Sequence, residues 1–200
     1  NKADFGIAFD GDGDRLIIVD KNAKELNGDD ILFVLARDKF ENQITLDSKG
    51  VVGTIMTNKG LENSLTEMGV DLVRSDVGDR YVLQKLEELN WDLGGEQSGH
   101  IISLDSSNSG DAIIAAIKFL EAYICSNLPL DQLLKPFVKY PQILTNIKTD
   151  NSEKVLKNKN FKNLLKEISL NLKKYDGRVN VRASGTEPLI RIMVESKNEK

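Results

Sequence analysis

Val51-Val52-Gly53-Thr54-Ile55-Met56, then Asn58 to Met68, then Asp71-Leu72-Val73-Arg74 read in succession as strand, helix and strand. The first run is apolar and β-branched. The second places apolar residues at 61, 65 and 68 and stops at Gly69, a residue suited to the left-handed turn that closes a helix. A further helix is predicted from about Asp79 to Asn90, with Val82, Leu86 and Leu89 on one face and Asp79 as N-cap. Strands separated by helices of this length are joined by crossovers, so the sheet they build is largely parallel.

The pattern extends in both directions. Upstream, Phe5–Phe9 reads as a buried strand and Leu16–Val19 as its neighbour; a helix over Ile31–Phe40 follows, with Asp29 or Asp30 as N-cap. Downstream come a strand at Ile101–Leu104 and a helix from Asp111 to about Ser126. That helix is apolar on nearly every side, so it is expected to be well buried, with Cys125 as a small core residue. Pro129, Pro136 and Pro141 mark the best domain boundary. Beyond them lie a strand near Gln142–Lys148, a Lys- and Asn-rich stretch from Asp150 to Asn160 read as a solvated face, and an amphipathic helix carrying Phe161, Leu164, Leu165, Ile168 and Leu172. Two strands, about Arg178–Arg182 and Ile190–Glu195, complete the chain. The fold class is α/β: a mixed, largely parallel α/β sheet domain followed by a smaller α+β domain.

Two hundred residues bury enough surface to build a core without disulfides, and the single cysteine excludes a disulfide scaffold. With 27 basic against 31 acidic residues, the net charge of −4 argues against a nucleic-acid partner. No apolar run approaches the roughly 20 residues that span a bilayer, and no signal-peptide pattern opens the chain. A soluble cytoplasmic protein without a membrane partner is expected. A chain that opens on Asn1 and enters a strand at Phe5 also reads as a piece of a longer protein.

Asp10-Gly11-Asp12-Gly13-Asp14-Arg15 sets three carboxylates within five residues, between two strands. The glycines allow a sharp turn, and three converging carboxylates repel unless a cation neutralises them. Oxygen donors favour Mg²⁺, Mn²⁺ or Ca²⁺. An EF-hand is excluded, because Arg15 and Lys21 stand where its Gly and Glu belong. A bare turn needs no third carboxylate followed by Arg15, so the cluster is read as a cation site at Asp10, Asp12 and Asp14. A phosphatase with Asp10 as nucleophile and Asp12 as acid is a rival, though such enzymes usually carry Thr or Ser where Asp14 stands.

Gly94-Gly95-Glu96-Gln97-Ser98-Gly99-His100 is a glycine-hinged loop suited to a polyhydroxylated ligand, with Glu96 accepting from hydroxyls and Ser98 donating or accepting. His100, the only histidine, could act as acid or base; a polar hairpin with a structural histidine is the alternative. Arg182-Ala183-Ser184-Gly185-Thr186-Glu187-Pro188 offers a guanidinium, hydroxyls and freed backbone N–H groups, an anion cradle that Arg191 could join, or else an ordinary turn. Arg80, in the first turn of its helix, could face a ligand or solvent.

In this order the motifs resemble the α-D-phosphohexomutase family, most closely its glucosamine branch. The stretches that carry the resemblance are DFGIAFDGDGDRLIIVD, NGDDILFVLARD, VGTIMTNKGLE, VGDRYVLQKLEE, GGEQSGHII, PQILTNIK and VRASGTEPLIRIMVE. One position departs from that branch, Asp76 standing where lysine is usual. The resemblance implies that residues 1–24 are the tail of a second domain carrying the metal loop, 25–136 a third, sugar-recognising domain and 137–200 most of a fourth, phosphate-binding domain. It implies missing N-terminal domains, the first bearing a phosphoserine. The implied activity interconverts glucosamine 6-phosphate and glucosamine 1-phosphate through a bisphosphorylated intermediate. Mg²⁺ would sit on Asp10, Asp12 and Asp14 with Arg15 adding charge; Arg182, Ser184, Gly185 and Thr186 would grip the non-reacting phosphate; Glu96 and Ser98 would hold the ring hydroxyls.

Overall fold

The computed structural model describes residues 3–41, 50–185 and 187–198. The chain divides into two compact units, one formed by the residues up to Thr57 with Leu61–Val138, the other by Asn58–Gly60 with the residues from Lys139 on.

In the first unit, strands β1 (Phe5–Phe9), β2 (Leu16–Asp20) and β3 (Glu25–Leu26) form an antiparallel sheet in that order. Helix α1 (Gly28–Glu41) leads to β4 (Gly50–Thr54), α2 (Lys59–Glu67), β5 (Asp71–Ser75), α3 (Asp79–Leu89), β6 (Leu93–Gly95), β7 (Ile101–Ser103), α4 (Ala112–Ser126) and α5 (Leu130–Leu134). The second sheet runs β5-β4-β6-β7; β4 pairs parallel with β5 and β6, while β7 is antiparallel to β6. Successive strand residues face opposite sides. Val51 therefore joins the main core with Phe33 of α1 and Phe119 of α4, and Val52 packs with Val82 and Leu86 of α3. Helices thus cover both faces of a mixed sheet. Truncating Phe33 or Phe119, both fully buried, to alanine removes packing worth about 3–5 kcal/mol.

Local chemistry moved several expected features. The carboxamide of Asn27 accepts the Asp29 and Asp30 N–H groups (3.1 and 3.4 Å), while Asp30 returns a bond to the Asn27 N–H (2.8 Å). Asn27 therefore caps α1, and Asp29 and Asp30 lie in its first turn. Gly78, not Asp79, occupies the N-cap of α3, and Leu89 is exposed at its far end. β1 was expected to be buried, yet Ile7 and Phe9 are exposed, because among the described residues β1 is an edge strand paired only with β2. Only its Phe5 end is covered, edge-on against Phe119 and Tyr123. Asp111 caps α4, accepting from Ile113 and Ile114 N–H, but the helix buries one side only. Ile113, Ile117 and Ile124 are more than half exposed, and Cys125 is exposed too, not a core residue.

In the second unit, β8 (Gln142–Lys148), β10 (Leu189–Glu195) and β9 (Arg178–Ala183) form an antiparallel sheet, with α6 (Ser152–Lys157) and α7 (Lys159–Lys173) against β9. The Lys- and Asn-rich stretch is thus partly helical. Its Asn158 caps α7, accepting from Asn160 and Phe161 N–H. The Glu195 carboxylate is fully buried, bonded to Gln142 (2.6 Å) and paired with Arg178, so its charge is not left uncompensated. Among the described residues, no helix is long and apolar enough to cross a membrane.

Candidate functional site

The loop between β1 and β2 closes on itself. Asp10 Oδ1 accepts the N–H groups of Asp14 (3.2 Å) and Arg15 (3.1 Å), and the Asp10 carbonyl accepts Gly13 N–H (3.3 Å). Gly13 turns at φ +74°, where a side chain would be strained. The result brings one oxygen each of Asp10, Asp12 and Asp14 within 4.8 Å of one another. The electrostatics show the crowding. Burial, the hydrogen bond with Asp10 and the charges of Asp10 and Asp12 raise the Asp14 carboxyl, with His100 opposing. Burial acts in the same sense on Asp10, but there the Arg15 N–H bond, with further bonds from Asp14 and Asp12, outweighs it, so the Asp10 carboxyl is lowered. Asp14 Oδ1 is buried without a hydrogen-bond partner among the described residues. Three converging carboxylates, one of which carries a buried oxygen with no hydrogen-bond partner among the described residues, fit a hard divalent cation. The Arg15 guanidinium, half exposed, lies 3.9 Å from both Asp10 and Asp14.

The Gly94–His100 segment lies beside this loop. Gly94 and Gly95, read as hinges, belong to β6; the turn proper is residues 96–99. Arg15 and His100 form a backbone bridge, Leu16 N–H reaches Gly99 O (3.0 Å), and Gly28 N–H reaches Gln97 O (3.0 Å). The His100 side chain is 7% exposed, with Nδ1 3.2 Å from Asp14 Oδ2. Glu96 is buried and accepts Gly78 N–H (2.9 Å), so the turn before α3 is tied to the Glu96 carboxylate. Gly78 adopts φ +131°, a conformation that side chains avoid. Ser98 is exposed, as is Arg80, whose guanidinium lies 4.8 Å from the Tyr81 ring centroid and bonds the Tyr81 hydroxyl. The first unit therefore gathers Asp10, Asp12, Asp14, Arg15 and His100, with Glu96 on the adjoining turn.

The second unit carries the other set. Arg182 and Arg191 are direct register partners across β9 and β10, and Asn146 of β8 is the partner of Arg191 on its other side. Two guanidinium groups directly opposite repel, an arrangement that an anion would relieve. Arg191 Nη2 bonds Glu187 (3.1 Å), while its Nε is buried without a hydrogen-bond partner among the described residues. Ser184 N–H is engaged by Leu189 O (2.9 Å), so its backbone donor serves the hairpin. Gly185 is exposed; Thr186 lies outside the described residues. Sequence reasoning did not single out Asn146 or Gly78. Asn146 is found only through strand register, whereas the glycine of the Gly78-Asp79 start of α3 was a usable signal.

Residues 27–140 match the α/β/α domain III of the phosphoglucomutase/phosphomannomutase family, and residues 144–200 match its C-terminal domain. The chain belongs to this family. Phosphohexomutase sequences similar to it include the phosphoglucosamine mutase of Photorhabdus laumondii, 45% identical over 99% of this chain and 44% of that protein. The phosphoglucosamine mutase of Haemophilus ducreyi is 46% identical over the same shares. The chain thus spans under half the length of these relatives. Aspergillus fumigatus N-acetylphosphoglucosamine mutase, solved in complex with GlcNAc-6P and magnesium, shares the phosphohexomutase fold at TM-score 0.75 and 18% identity, over 96% of this chain and 48% of that one.

Proposed function

We propose that this chain is the C-terminal part of an enzyme that interconverts glucosamine 6-phosphate and glucosamine 1-phosphate. The observation that carries the reading is the seating of the Asp10, Asp12 and Asp14 cluster against His100, at the end of the turn that bears Glu96 and Ser98. A charge-neutralising group and a hydroxyl-reading turn thereby share one locality, as phosphoryl transfer to a sugar requires. The 45% identity to phosphoglucosamine mutases supports the amino-sugar substrate.

In this reading residues 1–24 complete the second domain of the whole protein, 25–136 are its third and 137–200 its fourth; the domain III match from residue 27 supports that division. Mg²⁺ held by Asp10, Asp12 and Asp14 supplies charge neutralisation when bound. Arg15 adds positive charge beside it. Arg182, Arg191, Ser184, Gly185 and Thr186 grip the non-reacting phosphate, and Glu96, Ser98 and Arg80 orient the sugar. The phosphoryl donor is a phosphoserine on a domain outside this chain, so the 200 residues alone should not turn over substrate.

A coupled assay on the full-length protein, comparing glucosamine, glucose and mannose 1-phosphates, tests this. Preference for the amino sugar, with most activity lost in Asp12→Asn, is the expected result. Preference for glucose or mannose phosphate would establish the second reading, a phosphomannomutase/phosphoglucomutase, which the family description favours. Sustained turnover by the 200-residue chain with Mg²⁺ and glucosamine 1,6-bisphosphate would refute the phosphoserine mechanism.

A further inference from the structure

One face of the β8-β10-β9 sheet carries two polar rows, four residues apart along each strand. In the first row Gln142 and Arg178 are the register partners of Glu195 on either side. Their side chains meet: the Gln142 amide donates to Glu195 Oε2 (2.6 Å), and Arg178 Nε donates to Oε1. An amide and a guanidinium thus hold one carboxylate between them, and the row is balanced in charge. In the second row Asn146 and Arg182 are the partners of Arg191. Residues four apart on a strand face the same side, so this row repeats the first, with an amide on β8 and a guanidinium on β9. The difference lies in the middle, where β10 supplies Arg191 in place of a carboxylate. Two cations stand side by side, and none of the three residues is an anion. Arg191 Nε is buried with no hydrogen-bond partner among the described residues. Glu187, more than half exposed, meets Arg191 at Nη2 (3.1 Å), and an exposed pair of this kind holds its partner weakly.

We propose that Asn146 completes the phosphate grip of Arg182 and Arg191: the phosphate plays the part that the Glu195 carboxylate plays in the neighbouring row, and the Asn146 amide N–H donates to it as Gln142 donates to Glu195. The inference rests on the reading of Arg182 and Arg191 as the cations that grip the non-reacting phosphate. A neutral amide suits the position, because it adds a directed donor without a third positive charge. Asn146 is exposed on β8, an edge strand among the described residues, so its amide is open to an incoming anion. Thr149 N–H binds the Pro188 carbonyl (2.9 Å), which fastens the Asn146 end of β8 to the loop that carries Ser184 and Gly185.

The test is titration of the 200-residue chain with inorganic phosphate at low ionic strength, followed by proton–nitrogen spectra of side-chain amides and guanidinium groups. In the wild type the Asn146 side-chain amide should shift together with Arg182 Nε. An Asn146 amide that stays put while Arg182 shifts overturns the proposal without any substitution. Asn146→Ala should weaken phosphate binding about five- to tenfold. Asn146→Asp should abolish it, since a carboxylate there balances the row as Glu195 balances the other. Both changes fall at an exposed position, so the fold should be kept, which circular dichroism checks. Equal phosphate affinity in wild type and Asn146→Ala overturns the role of Asn146 and leaves the two arginines as the grip. Equal affinity in wild type and Arg182→Ala, or no phosphate binding by the wild type, overturns the phosphate reading and this inference with it.

Discussion

Gly28→Ala offers a sharp test of how the turn carrying Glu96 and Ser98 is held. By helix propensity alone this substitution, at the start of α1, should stabilise by up to about 1 kcal/mol. The structure argues the opposite. A Cβ at position 28 would lie 1.9 Å from the Glu96 carbonyl oxygen and 3.0 Å from Gly99 N. Both are backbone atoms in a turn closed by its own Gly99 N–H bond to Glu96 O (3.0 Å), so neither can step aside as a flexible side chain would. Overpacking of this kind costs about 1–3 kcal/mol. Displacing the turn also strains the Gly28 N–H bond to Gln97 O, worth about 1 kcal/mol. Set against the propensity gain, the net is about 2 kcal/mol of destabilisation, or a Tm lower by about 4–8 °C for a protein of this size.

Thermal unfolding followed by circular dichroism measures the shift. Gly6→Ala is the control, since its Cβ would meet only Val19 Cβ at an ordinary 3.8 Å, and its effect should stay within about 0.5 kcal/mol. A Gly28→Ala Tm equal to or above wild type would refute the reasoning and show that the turn yields at no cost.

Arg182→Lys keeps the charge but loses the bidentate fork, so in the full-length enzyme it should raise KM about tenfold with the fold unchanged; an unchanged KM would place the phosphate grip elsewhere. Asp105 is bonded to Lys118 (2.7 Å), Ser103 (2.8 Å) and Lys39 (3.2 Å), and although its partial burial works the other way, these partners hold its carboxyl well below the usual carboxylate range. A lowered folded-state value means that Asp105 stabilises above the ordinary carboxylate pKa of about 4 and loses that contribution as pH falls below it. Asp105→Asn should therefore cost about 1 kcal/mol or less at neutral pH, after solvent screening, and flatten the loss of stability in acid seen by denaturant titration. Cys125, exposed on α4, should react with a thiol reagent in the folded chain without denaturant; protection until unfolding would contradict its exposure.

The elements legible in the sequence were those whose signal is local. Apolar spacing located β4, α2, β5 and α3 because each repeats its period over enough residues to be read, and the aspartate loop announced itself by charge density alone. Where structure is imposed from outside the segment, the sequence was silent. β6 is Leu93-Gly94-Gly95, two glycines that read as a hinge and become a strand only because β4 and β7 pair on either side. The all-round apolar character of α4 could not reveal which side would meet α1 and which would carry Ile113, Ile117 and Ile124 to the surface.

The same division runs through the site. Asp10, Asp12 and Asp14 converge through bonds spanning at most five residues, so residue types and spacing suffice to place them. Arg182 and Arg191 were visible as cations, yet their direct opposition follows from hairpin register, which a one-residue slip would abolish by turning one of them to the other face. Gly110 is the extreme case. It closes Asp105-Ser106-Ser107-Asn108-Ser109, a run that any reading assigns to a turn, and glycine is ordinary there. Its consequence is set ten residues away, where the His100 ring occupies the space a Cβ would take. A glycine chosen for a neighbour's volume leaves no mark in its own local pattern, so its fit against His100 can be read only in three dimensions.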